Sequence, residues 1–140
     1  MRKIRVVLDT NVIVSAHLKA TGYERYVLDL VLANKLELLL SWPILEEYKG
    51  VLLKPRFSLD RKLVAKSLRT IRERARMVRP VVKLAVASDG ADNRFLECAS
   101  AGHADFVVTG NKRHFPPVWH QINVVTSREL IEWIVPHLQR

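Results

Sequence analysis

The sequence predicts an α/β fold: a three-layer α/β/α sandwich around a mostly parallel central sheet. Three observations predict it. Short apolar runs recur at residues 4–8, 36–40, 106–109 and 123–126. Segments with helical apolar spacing separate them. The connections between strands and helices are short, which fits right-handed crossovers between parallel strands.

Ile4-Arg5-Val6-Val7-Leu8 is the first strand, and its near-continuous apolar character suits a strand buried on both faces. A helix is expected over 11–18, broken at Gly22, and a second from Tyr23 to Asn34 through Tyr26, Val27, Leu30 and Val31. Tyr23, Tyr26, Leu30 and Val31 form an apolar stripe, for which core packing is the simpler account and a dimer surface the other. Leu36–Leu40 is the next strand, with Ser41 as N-cap and Pro43 in the first turn of a helix to about Leu53. Asp60 to Arg76 is a long helix with Leu63, Val64, Leu68 and Ile71 inward. Val78 to Val82 is a strand that Pro80 confines to an edge or makes irregular. A helix from about Ala91 stops at Gly102. After the strand at 106–109 and another at 123–126, Ser127 caps a last helix that weakens at Pro136.

A chain of 140 residues with 49% hydrophobic content is one domain, 1–140, with room for a core. A formal charge of +9 favours polyanionic partners, nucleic acid first. The single cysteine, Cys98, excludes an internal disulfide framework, and the lack of CxxC or HExxH disfavours a zinc site. Glycines at 22, 50, 90, 102 and 110 fit neither GxxxxGK nor GxGxxG, which disfavours nucleotide-cradling loops. Asp9 and Asn11 interrupt the apolar stretch after Met1-Arg2-Lys3, no small-residue cleavage site follows, and no segment is long enough to span a membrane. A cytoplasmic protein is expected.

The chemistry is expected at the carboxyl ends of the strands. Asp9 closes the first strand. On the helix 43–53, Ile44, Leu45, Tyr48, Val51 and Leu52 share an apolar face; Glu46 points to water and Glu47 lies at the core boundary, where a carboxylate is costly without a partner. On the helix 91–101, Asp92 shares the face of Phe95, Leu96, Cys98 and Ala99, while Asn93 and Glu97 point away. The competing reading for Asp92 is a cap or helix-dipole contact; Asp89, just before the helix, is the natural cap. Thr109 and Asn111 project at the same sheet edge as Asp9, and Asp105 lies at the opposite edge. Three clustered carboxylates repel unless a cation joins them or some protonate, and hard oxygen ligands suit Mg²⁺ or Mn²⁺. An acidic metal site ringed by basic surface is what phosphodiester hydrolysis needs.

Four motifs carry a family resemblance: Val7-Leu8-Asp9-Thr10-Asn11-Val12, Ser41…Leu45-Glu46-Glu47-Tyr48, Asp89-Gly90-Ala91-Asp92-Asn93-Arg94-Phe95-Leu96, and Ala104-Asp105-Phe106-Val107-Val108-Thr109-Gly110-Asn111. Together they resemble the PIN domain, and within it the VapC-like branch of toxin components of prokaryotic toxin–antitoxin systems. The resemblance implies a Mg²⁺- or Mn²⁺-dependent ribonuclease that leaves a 5′-phosphate and a 3′-hydroxyl. It implies catalytic and metal-binding roles for Asp9, Glu47 and Asp92, with Asn111 as a further ligand and Thr10, Asn11, Asp89 and Thr109 as supporting polar groups. Many PIN domains carry aspartate where Asn111 stands; an amide oxygen still ligates but brings no charge, so a second metal would be held more weakly, one metal or two both stay open, and Asp89 is the candidate to compensate. Asp9 and Asp92 are expected to hold the metal, and Glu47 to ligate it or to orient and deprotonate the attacking water.

Eight basic and two acidic residues lie between Asp60 and Arg79. Lys62, Lys66, Arg69 and Arg76 form one exposed stripe, either a solvated face or a contact for RNA or an acidic partner. Lys112, Arg113 and His114, right after Asn111, are the nearer candidates to touch RNA. The other four histidines show no ligand spacing, and Trp42, Trp119 and Trp133 are expected as core or interface anchors. The expected partners are an RNA substrate, an antitoxin protein and further copies of the chain as a homodimer or higher homo-oligomer. Two rivals stand beside this reading. One is a catalytically degenerate PIN-like module that binds RNA or protein without cleavage, favoured by Asn111. The other is a phospho-acceptor signalling domain, which needs an aspartate and lysine pair that the sequence does not offer.

Overall fold

Among the described residues, five strands of the sheet run parallel and a sixth returns antiparallel at one edge. The computed structural model describes residues 2–84 and 92–138. In chain order the elements are β1 (Ile4–Leu8), α1 (Thr10–Leu18), α2 (Tyr23–Leu32), β2 (Leu36–Leu40), α3 (Trp42–Leu52), α4 (Arg61–Arg74), β3 (Arg76–Met77), α5 (Asn93–Gly102), β4 (Phe106–Val108), β5 (Val118–Trp119), β6 (Ile122–Val125) and α6 (Ser127–Leu138). The sheet order is β3-β2-β1-β4-β6-β5. Helices on both faces complete the three-layer sandwich, with α5 packed on β1, β2 and β4. β1 and β4 are central, and Val6, Val7, Leu8, Val107 and Val108 are fully buried. Each such side chain contributes about 1.5–3 kcal/mol relative to an exposed one.

Local chemistry explains most element boundaries. Asp9 caps α1 by accepting from the Thr10 N–H. Gly22 enters α2 at φ 111°, a conformation that favours glycine. Pro43 occupies the first turn of α3, where no N–H is needed. Asp60 caps α4 through the Lys62 N–H.

Several sequence expectations are corrected. The strand expected at Val78–Val82 is instead Arg76–Met77, and the Val78 N–H to Leu40 carbonyl bond closes the contact with β2 at 2.8 Å. Pro80 has no N–H to extend it. Leu63 is 65% exposed, and Val64, Leu68 and Ile71 alone make the buried stripe of α4. Asn93 and Glu97 do not point to water: both are buried. Glu97 accepts the Leu84 N–H at 2.8 Å, so its carboxylate is turned to the backbone of Leu84 rather than to water. Helix α5 ends through His103 at φ 56°, not through Gly102. Gly102 is there for space, because a Cβ would stand 2.6 Å from Leu39 Cδ1. Helix α6 is capped by Thr126 and Glu129, which exchange side-chain to backbone bonds, and Pro136 lies inside it. The antiparallel β5 has no counterpart in the sequence reading.

Candidate metal and nucleic-acid site

The strand order reverses between β1 and β4, since β2 and β3 lie on one side of β1 and β4, β6 and β5 on the other. Ligand crevices in open α/β sheets form at such a switch point, beyond the carboxyl ends. The register pairs Leu8 with Val108, so the residues that follow them, Asp9 and Thr109, emerge side by side. The Asp9 N–H donates to the Val108 carbonyl at 2.9 Å, and Thr109 donates its hydroxyl proton to Asp9 Oδ2 at 2.6 Å. Asp9 Oδ1 accepts the Thr10 N–H at 2.7 Å.

Asp9 is only 6% exposed. Burial pushes its carboxyl up to about 6, against the pull of the bonds from Thr109 and Thr10. The charges of Asp92 and Glu47 contribute to that rise. Asp9 is therefore within electrostatic reach of both carboxylates that the sequence singles out.

Each of the two others arrives on its own helix. Glu47 is half-buried on α3 and accepts the Thr10 hydroxyl proton. Its neighbour Tyr48 is buried and donates to the Leu8 carbonyl, tying α3 to the end of β1. Asp92 is buried at the start of α5, at the N-cap position, but has helical dihedrals and makes no capping bond. It faces His114, whose Nδ1 stands 3.2 Å from Asp92 Oδ2. Among the described residues, no three His, Cys, Asp or Glu side chains are already drawn into a metal-holding group.

The small polar residues gather beside Asp9. Asn11 Oδ1 accepts the Gly110 N–H at 3.1 Å, and Thr109 Oγ1 accepts the Asn111 N–H at 2.9 Å. Asn11, Thr109 and Asn111 line a cleft of about 360 Å³ with Ser15, Ser127 and Arg128. Asp89 lies outside the described residues. Asp105 is at the far edge of the sheet, bonded to Arg2 and to the Arg5 N–H, as its position in the sequence predicts.

The basic residues divide into two groups. Arg113 is exposed next to Asn111, and Lys112 pairs with Glu129 at 3.0 Å. Lys62, Lys66 and Arg69 are exposed on α4. Arg69 also lines a larger cleft, about 460 Å³, between α3 and α4, together with Trp42, Lys49, Arg61 and Arg72. None of Asp9, Glu47 or Asp92 lines that cleft. No helix among the described residues is long and apolar enough to cross a membrane.

Residues 5–113 match the PIN domain. The chain belongs to the PIN domain family. It is 30% identical over 113 residues to Uncharacterized protein MJ1680 of Methanocaldococcus jannaschii, covering 79% of this chain and 72% of that protein. Its fold is similar to the crystal structure of VapBC2 from Rickettsia felis bound to a DNA fragment from their promoter. The TM-score is 0.59 at 18% identity, over 86% of this chain and 97% of that one. The match to the PIN domain spans all of α1–α5 and ends just past Asn111, so Asp9, Glu47 and Asp92 fall within it.

Two features of this PIN domain escape the sequence reading. The first is the His114–Asp92 contact, which joins residues 22 apart in sequence; the only available signal was its nearness to Asn111. The second is the α3–α4 cleft, whose sign is Trp42, exposed at 48% in the first turn of α3 and beneath the Arg72 guanidinium at 6.0 Å.

Proposed function

We propose that this PIN domain is a divalent-metal-dependent ribonuclease acting as the toxin of a toxin–antitoxin pair, with Asp9, Glu47 and Asp92 as its metal-binding and catalytic residues. One observation carries the reading: a buried aspartate at the switch point, raised by burial and by two neighbouring carboxylates. Mutual repulsion among three acids in a chain of net +9 is relieved by a cation. The donors are oxygens, which suits Mg²⁺ or Mn²⁺. The general occurrence of nuclease activity among PIN domains supports the enzymatic reading. The likeness in fold to VapBC2 supports the partner, an antitoxin protein.

A divalent cation held there supplies positive charge for the phosphate and acidity for water. The protein's own residues do the rest. Thr109 and Thr10 fix both oxygens of Asp9. Glu47, held by Thr10, orients the attacking water and takes its proton. Asn111 offers a neutral amide oxygen at the edge of the cleft. Arg113, with Lys112 and the α4 residues Lys62, Lys66 and Arg69, holds the RNA backbone.

The test is RNA degradation in Mg²⁺ or Mn²⁺ by the wild type and by Asp9→Asn, both shown to be folded. Cleavage by the wild type alone supports the reading. Intact RNA with both proteins supports the degenerate module that Asn111 favours, and equal degradation by both points to a contaminant.

A further inference from the structure

The connection between β4 and β5 does more than join two strands. It starts at Thr109, whose hydroxyl donates to Asp9 at 2.6 Å and accepts the Asn111 N–H at 2.9 Å. It then makes one 3-10 turn, Lys112–His114, closed by the His114 N–H to Asn111 carbonyl bond at 3.0 Å. Phe115 follows directly and is buried in the core, which anchors the end of the turn. The loop is thus fixed at both ends. From it, Thr109 holds Asp9 and His114 faces Asp92, so one loop grips two of the three acids.

We propose that His114 is a ligand, through Nδ1, of the divalent cation gathered by Asp9 and Asp92, and that it makes this site prefer Mn²⁺ over Mg²⁺. The proposal rests on the metal-dependent reading above. Two donors at right angles on an octahedral cation with bonds of about 2.1 Å stand about 3 Å apart. The His114 Nδ1 to Asp92 Oδ2 distance is 3.2 Å, so the two atoms already have the spacing of neighbouring ligands on one ion. His114 is half-exposed, which leaves its ring free to turn the lone pair toward an arriving ion.

The chemistry of the donor decides the selectivity. An all-oxygen site serves Mg²⁺ and Mn²⁺ alike, whereas imidazole nitrogen favours transition-series ions. Asn111 contributes a neutral oxygen at best, so charge alone does not fill the coordination sphere. A nitrogen ligand adds a bond without adding charge, and Mg²⁺, which sheds water reluctantly, gains least from it.

The alternative is that His114 only counters the charge of Asp92. The two roles move metal affinity in opposite directions, and a calorimetric titration separates them. Metal-free wild type, His114→Ala and Asp9→Asn are each titrated with Mn²⁺ and with Mg²⁺. The expected result is wild-type binding at least tenfold tighter for Mn²⁺, reduced about tenfold by His114→Ala, with Mg²⁺ affinity changed less than threefold. Equal or tighter Mn²⁺ binding by His114→Ala overturns the proposal while leaving the metal site itself intact. No binding by the wild type, or wild-type binding by Asp9→Asn, overturns the metal-dependent reading and the proposal with it. A second readout is pulsed electron paramagnetic resonance of bound Mn²⁺. A ¹⁴N modulation from an imidazole ligand is expected in the wild type and absent in His114→Ala, and its absence from the wild type contradicts the proposal.

Discussion

Thr109 reaches Asp9 across 100 positions of sequence, donating its hydroxyl proton at 2.6 Å between two buried side chains. The two residues end neighbouring parallel strands, so the register of β1 on β4 is also the register of the site. A one-residue slip of either strand would turn one of the partners to the other face.

Thr109→Val keeps the shape and removes the donor. A buried carboxylate oxygen is then left short of one bond, and the Asn111 N–H loses its acceptor. The expected loss is about 1–3 kcal/mol near neutral pH, measured by urea denaturation in a chelator. The loss shrinks below pH 5, where Asp9 is protonated in the folded protein, and Thr109→Ser restores most of it. An equal loss at every pH would mean that Thr109 acts through packing alone.

The raised carboxyl of Asp9 sets a pH dependence. Its ordinary value is 3.8 and its folded value about 6, so between these the folded state holds more proton than the unfolded one. Stability of the metal-free protein therefore falls as pH rises from about 4 to about 6, by at most on the order of 3 kcal/mol from this group. Asp9→Asn removes that slope. Melting temperature against pH in a chelator checks it, and identical slopes for the two proteins would contradict it.

The fold was legible because apolar runs and helical spacing recur in alternation; β1 and β2 have the bounds that their composition predicts. Asp9 and Thr109 were legible for the same reason, since strand ends in a parallel sheet define a common edge. Leu63, Asn93 and Glu97 were not. A helical wheel sorts residues by their own polarity, but α5 takes its burial from the segment at Leu84, whose N–H needs the Glu97 carboxylate. His114 was placed near the site by sequence distance, but its partner, Asp92, depends on a turn closed by backbone bonds that composition does not encode.

Asp105 is the contrasting acid. Burial pushes its carboxyl up, but the bonds from Arg2 and from the Arg5 N–H outweigh it and hold the group below 3.8. Its contribution to stability is present above that value and is lost as pH falls through the lowered one. Asp105→Asn is expected to cost about 1 kcal/mol or less at neutral pH, because Arg2 is exposed. The gap in melting temperature to the wild type narrows as pH falls through the lowered value of Asp105, and RNA cleavage and Mn²⁺ affinity stay unchanged. Loss of cleavage in a folded Asp105→Asn protein would move the chemistry to the wrong edge of the sheet.

Gly102→Ala tests the packing of α5 on the sheet. The new methyl would stand 2.6 Å from Leu39 Cδ1, so Leu39 or the helix must shift. Helix propensity favours alanine by about 1 kcal/mol, while overpacking costs about 1–3 kcal/mol. A net destabilisation is expected in urea melts, together with weaker Mn²⁺ binding if α5 carries Asp92 away from Asp9. A stabilised variant would show that the contact yields without cost.

The central claim is that side chains from α3, from the start of α5 and from the end of β1 share one divalent cation. The direct measurement is the anomalous difference map of a crystal soaked in Mn²⁺. The account predicts a peak within coordination distance of carboxylate oxygens of Asp9, Glu47 and Asp92. A Mn²⁺ peak elsewhere, with none between these three residues, would contradict it.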